Sequence, residues 1–222
     1  VHMCGHGAIA LGAILVETGR VAAPGGRATG TLETPAGLVT CRVSTQAGRP
    51  TSVTIRNVPA FSAGLDLSVD VAGLGPVRFD LAYGGHFYAL VEAAPLGLRL
   101  EAKEASRLIE IGERIRAAIE ARVPLVHPGL PQARGLLYVQ FHEAARRPDA
   151  RYRNAVVVAP AGLDRSPCGT GTSARLANLH ARGQLGVGDA FGHESIIGTL
   201  FTGRIAALTD VAGTPAVVPE IT

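Results

Sequence analysis

The sequence predicts a mixed α/β protein with largely antiparallel connections, built from two related halves. Three observations carry this. Short β-branched stretches follow one another with only turn residues between them, and apolar or amphipathic runs at helical spacing interrupt them. A motif also occurs twice: Cys4-Gly5-His6-Gly7 and Cys168-Gly169-Thr170-Gly171 each precede a helix-like run that ends at a glycine fifteen residues after the cysteine, Gly19 and Gly183.

From the N-terminal side, a helix is expected from Ala8 to Thr18, where Ile9, Leu11, Ile14, Leu15 and Val16 cover much of the surface and Gly19 acts as the stop. So apolar a helix is expected to be mostly buried. Thr29 to Glu33, Leu38 to Ser44 and Thr51 to Val58, separated by Pro35-Ala36-Gly37 and Ala47-Gly48, read as an antiparallel meander with Cys41 in its second strand. Pro59 to Pro76, with Gly64, Gly73 and Gly75, is assigned as the crossing to a second lobe. Strands follow at Arg78 to Leu81 and, after the Gly84-Gly85 break, at Phe87 to Ala93. Between Ala102 and Arg122, Leu108, Ile111, Ile115 and Ile119 fall on one face of an amphipathic helix with a packing role. Leu136 to His142 and Asn154 to Ala159 read as strands, Thr172 to Arg182 as a helix, and Ser195 to Ala207 and Ala216 to Val218 as strands. These boundaries give a first lobe of residues 1–58 joined by 210–222, and a second of 59–209.

With 222 residues, 47% of them hydrophobic, the chain can bury a substantial core, while its longest apolar runs fall far short of the ~20 residues of a membrane span. The three cysteines are too few for a disulfide framework, and no export signal is visible, so a soluble protein of the reducing cytoplasm is expected. The net charge of +3 is dispersed apart from Arg146-Arg147 and Arg151-Tyr152-Arg153, which excludes nucleic acid as an expected partner. Cys4, His6, Cys168 and His180 offer metal donors but not at zinc-site spacing, and no dinucleotide or phosphate loop is present, so neither a metal nor a cofactor is expected.

What the repeated cysteine can do follows from its place before a helix. Free backbone N–H groups and the positive end of the helix dipole favour a thiolate over the ordinary thiol, whose pKa is ~8.5. The glycines let the backbone approach a ligand carboxylate, which the same N–H groups can grip. Two such helix starts facing each other across a small amino acid could remove the α-proton on one face and donate a proton on the other, inverting the carbon without a cofactor. Plainer roles stand beside this one: Cys41 reads as a small buried hydrophobe, His6 as structural were it not between two glycines, and Asp164 as the cap of a turn. A cysteine hydrolase is disfavoured, because His180 stands twelve residues beyond Cys168, roughly 18 Å along a helix.

Met3-Cys4-Gly5-His6-Gly7, Ala82-Tyr83-Gly84-Gly85, the run Asp164-Arg165-Ser166-Pro167-Cys168-Gly169-Thr170-Gly171-Thr172 and the segment Gly213 to Glu220 together resemble the proline racemase family. That family includes proline racemases, 4-hydroxyproline 2-epimerases and trans-3-hydroxyproline dehydratases. The resemblance implies a fold like that of diaminopimelate epimerase, with two pseudo-symmetric lobes, each a mixed and mostly antiparallel sheet around a central helix. The first lobe is expected to be incomplete, since relatives carry several dozen residues before the first motif and a further stretch after the last. The resemblance makes Cys4 and Cys168 the acid/base pair, gives the substrate carboxylate to the amides of Gly5, His6, Gly169 and Thr170, and sets Asp164 and His6 by the ring nitrogen. Both cysteines are kept, which favours inversion over dehydration, where one is replaced by Ser or Thr. Val158 is small at a ring-lining position and His86 is able to meet a hydroxyl, which leans the reading from proline toward 4-hydroxyproline. The expected partner is that small-molecule substrate, without nucleic acid or membrane and with a homodimer left open. The competing readings are a dehydratase-like enzyme and an inactive amino-acid-binding fragment of the same fold.

Overall fold

In the computed structural model, which describes residues 2–222 and so leaves Val1 of the expected first lobe outside the described residues, the first element is helix α1 (Gly5–Glu17). Three strands, β1 (Arg27–Thr34), β2 (Gly37–Gln46) and β3 (Arg49–Arg56), form the anticipated antiparallel meander. The helix lies on this meander along its small residues: a Cβ on Gly12 would stand only 3.3 Å from Val53 and 3.5 Å from Val43. The expectation of a mostly buried helix holds on that side and fails on the other, where Leu11 and Ile14 are 43% and 53% exposed, because three strands cover one face only.

The stretch assigned as a crossing is instead the long strand β4 (Phe61–Val71), paired with β5 (Gly75–Tyr83). It absorbs Gly64 by bulging, with register shifts on either side of that residue and Asp66 in left-handed backbone at φ 54°. After the Gly84-Gly85 reversal comes β6 (Phe87–Glu92), then α2 (Ala105–Glu120), which buries Leu108, Ile111, Ile115 and Ile119 as its spacing predicted. A short hairpin that the sequence did not signal, β7 (Val126–His127) with β8 (Leu130–Arg134), precedes β9 (Tyr138–Ala144), β10 (Tyr152–Val158) and β11 (Gly162–Asp164). Helix α3 (Gly169–Ala181) follows. The expected strand over Ser195 to Ala207 divides into β12 (Ala190–Ser195) and β13 (Leu200–Val211), because Gly198 at φ 81° reverses the chain and Ser195 Oγ accepts from the N–H groups of Ile197 and Thr199. β14 (Thr214–Ile221) completes the chain as described.

All strands but β7 and β8 belong to one sheet, in the order β1-β2-β3-β14-β13-β12-β10-β9-β6-β5-β4 with β11 beside β10. Among the described residues only the strand pairs β6 with β9 and β10 with β12 run parallel, so the sheet is mixed and largely antiparallel. It curls around α3, whose residues from Gly169 to Leu179 are all buried. Residues 214–221, grouped with the first lobe from sequence, pair with β13 along their length and pack on α3. Their ladder with the meander is confined to Ile55 with Ile221 and Arg56 with Glu220. At that seam the buried Glu220 carboxylate gathers Arg42 at 2.8 Å, Arg204 at 2.6 Å and Arg56 at 3.4 Å. No helix among the described residues is long and apolar enough to cross a membrane.

Candidate active site

The repeat seen in the sequence is a repeat in space. α1 and α3 each have thirteen residues with a cysteine at the N-cap, and each ends at a left-handed glycine, Gly19 at φ 69° and Gly183 at φ 68°. The two helix starts abut. A Cβ built on Gly5 would lie 2.7 Å from Gly169 Cα, and one on Gly169 would lie 2.8 Å from Gly5 Cα, so only glycine allows this approach. In each first turn the third residue is also glycine, and a Cβ there would come within 3.1 Å (Gly7) or 3.0 Å (Gly171) of the sulfur of its own motif. Both sulfurs therefore fold over glycine-lined helix tips. The Gly84-Gly85 turn presses on α3 so closely that a Cβ at Gly84 would meet Ala174 N at 2.5 Å, while Asn57 ties Gly84 O to Ser173 Oγ. Those contacts fix where α3 begins.

Cys4, Gly5 and His6 from α1, Val158 and Asp164 from β10 and β11, and Cys168, Gly169 and Thr170 from α3 line one cavity of about 310 Å³. Its two sulfurs are not equivalent. Cys4 is exposed, with extended backbone (φ −127°, ψ 108°) and no cap bond from its side chain. Cys168 is only 6% exposed, sits in left-handed backbone (φ 62°) that few non-glycine residues adopt, and accepts from Gly171 N–H at 3.4 Å. The expected lowering of both thiols fails at Cys168: burial, with the Asp164 carboxylate second, pushes it up to about 12 against hydrogen bonds that pull it down. A thiol is the resting state there.

Asp164 both caps its turn and faces the cavity. Ser166 N–H donates to Oδ1 at 2.8 Å, and Ser166 Oγ donates to Oδ2 at 3.0 Å. The same Oγ accepts from Cys168 N–H at 3.0 Å and lies 3.5 Å from His6 Nδ1, so one hydroxyl connects both halves of the site. With this geometry in hand, the comparison with known sequences is decisive: the proline racemase family model matches residues 1–222.

The chain belongs to the proline racemase family. The 4-hydroxyproline 2-epimerase of Streptosporangium roseum is 48% identical over 221 residues, which is 99% of this chain and 66% of that protein. The proline racemase of Clostridioides difficile is 41% identical over 222 residues, the whole of this chain and again 66% of that protein. A crystal structure of a hydroxyproline epimerase from Agrobacterium vitis, with bound trans-4-OH-L-proline, superposes with a TM-score of 0.94 at 42% identity, covering 99% of this chain and 63% of that one. The chain thus spans a little under two thirds of the length of these family members.

One predicted site residue stands apart from this proline racemase family cavity. His86 is buried behind Tyr138, its ring 5.1 Å away edge to face, and its Nε2 lies 3.1 Å from the N–H of His2, 3.3 Å from that of Met3 and 3.0 Å from the Met3 carbonyl oxygen. Burial lowers it to about 4, so it stays neutral and anchors the segment leading into Cys4. Sequence reasoning also missed five residues. Tyr88, Tyr138, Gly162 and Leu163 line the cavity, and Ser166 bridges it. Tyr88 and Tyr138 are partners across the parallel β6–β9 ladder and stack at 4.9 Å and 14°, a long-range pairing with no local signal. Ser166 did have one: it stands two residues after Asp164 and two before Cys168, the spacing of side-chain-to-backbone turns.

Proposed function

We propose that this chain carries the catalytic centre of a cofactor-independent racemase or epimerase that inverts the α-carbon of a cyclic amino acid, 4-hydroxyproline in preference to proline. One observation carries the reading: cysteines capping two equivalent helices, whose tips touch through Gly5 and Gly169, open into a single cavity. The N–H groups of Gly5, His6, Gly169 and Thr170 converge there as donors for the substrate carboxylate, and they accept the charge that moves onto it as the α-proton leaves. Cys168, resting as a thiol, is the proton donor of one direction, and Cys4 is the base on the opposite face. The C–H electron pair stays on the α-carbon, Cys4 takes the proton, and the S–H proton of Cys168 completes the new C–H bond. The reverse reaction exchanges the roles.

Asp164, held by Ser166 and close to His6, is the acceptor for the ring ammonium. Val158 leaves space for a ring substituent, and the relatives above include 4-hydroxyproline epimerases. The three cysteines are unpaired, in keeping with a cytoplasmic protein.

The test is incubation of the protein with L-proline and with trans-4-hydroxy-L-proline in deuterated water, followed by NMR at the α-position. Deuteration is expected with both and faster with the hydroxylated substrate. Cys4→Ser and Cys168→Ser should each abolish it with the fold intact. Full activity in either variant removes the two-thiol mechanism, and binding without exchange would make the chain a binding protein.

A further inference from the structure

Around Cys168 the structure holds an arrangement that the inversion mechanism above does not itself require. The Tyr88 hydroxyl, fully buried, stands 2.6 Å from Thr170 Oγ1 and 3.4 Å from Cys168 Sγ, and Thr170 Oγ1 is 3.9 Å from the same sulfur. The phenol is held in place by its stack on Tyr138 and its position in the β6–β9 ladder. The sulfur's remaining donor is Gly171 N–H, which can only donate and so favours only the thiolate.

Resting on the racemase reading, we infer that Tyr88 and Thr170 form a reversible hydroxyl relay that serves Cys168 in both of its protonation states. An inverting enzyme needs this sulfur as acid in one direction and base in the other. In the thiol state S–H donates to the Tyr88 oxygen and Tyr88 O–H donates to Thr170 Oγ1. In the thiolate state Thr170 O–H donates to the Tyr88 oxygen and Tyr88 O–H donates to the sulfur. The two arrangements differ by rotation of two hydroxyl hydrogens about their C–O bonds. No heavy atom moves, and no proton passes from one residue to another. Burial holds the phenol far above its ordinary pKa, so it remains an O–H group and does not compete as a base. Cys4, exposed on the open side, has water for the same purpose, and the residue equivalent to Thr170 in its half is His6, which faces Ser166 instead. The relay replaces, at the buried sulfur, the solvent that the exposed one has.

Tyr88→Phe keeps the stacked ring, and Thr170→Val keeps the backbone amide and the side-chain volume. Each should lower kcat for α-deuteration roughly ten- to hundredfold, the worth of a hydrogen bond to a charged group, with KM within about twofold. Because the equilibrium constant is fixed, kcat/KM falls equally in the two directions. The double variant should fall no further than Tyr88→Phe alone, since both substitutions break one chain. The infrared S–H stretching band of Cys168, identified by its loss in Cys168→Ser, should move to higher frequency in Tyr88→Phe; this readout needs no turnover. A wild-type protein that exchanges neither substrate overturns the racemase reading and the relay's catalytic role together, and the band then still reports the hydrogen bond. Where the wild type exchanges, an unmoved band, a Tyr88→Phe enzyme within twofold of wild type, or losses that multiply in the double variant overturn the relay alone. If Tyr88→Phe melts early, Thr170→Val is judged by the same two-direction kinetics.

Discussion

Substituting alanine for Gly5 tests the contact on which the site is built. The added Cβ would lie 2.7 Å from Gly169 Cα and 3.2 Å from both Gly169 C and Thr170 N, whereas ordinary contact begins near 3.4 Å, leaving a shortfall of about 0.7 Å. All three obstructing atoms are backbone, so no rotamer change relieves the clash. α3 cannot retreat, because Asn57 Nδ2 donates to Ser173 Oγ and the Gly84 turn is packed against Ala174. α1 must shift instead, carrying Cys4 with it. A displacement approaching 1 Å in a reacting group costs on the order of a hundredfold in rate. Overpacking costs about 1–3 kcal/mol, against a helix-propensity gain of at most about 1 kcal/mol for alanine over glycine. The melting temperature should therefore drop by only a few degrees while kcat/KM for α-deuteration falls thirty- to hundredfold by order of magnitude. Gly30→Ala, where an added Cβ has nothing within 4 Å, is the control. A Gly5→Ala protein within twofold of wild-type kcat/KM would refute the abutting-tip account.

Ser166→Ala removes the hydroxyl shared by Asp164, Cys168 N–H and His6, and should lower kcat/KM about tenfold, measured in the same exchange assay. Glu220→Gln leaves three arginines around a neutral amide. Because those arginines are partly exposed, the loss should be about 1–2 kcal/mol in urea unfolding at pH 7, and an unchanged midpoint would count against the seam. Cys168 and Tyr138 rise to about 12 on folding, from 9.0 and 10.0, so the folded state keeps protons that the unfolded chain releases. Stability should then decline as pH rises above 9, at about 1.4 kcal/mol per unit for each group, and Cys168→Ser should flatten the first part of that decline in pH-dependent urea titrations. On the acid side His86, lowered from 6.5 to about 4, binds its proton in the unfolded chain first. Its contribution should disappear as pH falls through that interval, and His86→Gln should remove that part of the slope.

The sequence disclosed what is written locally and concealed what depends on distant pairing. The meander was legible because β-branched runs alternate with turn residues, and α2 because its isoleucines recur at helical spacing. β4 was hidden by Gly64 and by the glycines that follow it, residues that normally break strands; here the bulge removes the conflict while Leu67, Val69 and Val71 keep their alternation. At the site, both sulfurs and their glycines were legible because the motif is contiguous and repeated. Tyr88 was not, since its importance comes from Tyr138 fifty residues later and from a helix tip further still. His86 misled for the opposite reason: it is adjacent in sequence to the turn that supports the site, yet its ring points to the chain ahead of Cys4.

The seam between β3 and β14 has a bearing on how this protein would lose its chemistry. Its neighbouring ladders, β2–β3 and β13–β14, run nearly the full length of their strands, whereas the meander that carries α1 is coupled to the remainder of the sheet by two residue pairs, one carboxylate cluster, the Thr54–Thr222 hydroxyl pair and the Asn57 N–H on Pro219 O. Parting there withdraws one sulfur from the other and leaves every other strand ladder closed. On the proposed two-thiol chemistry, inactivation and denaturation are separable in this architecture: parting of the seam should end α-proton exchange while most of the far-ultraviolet dichroism is kept.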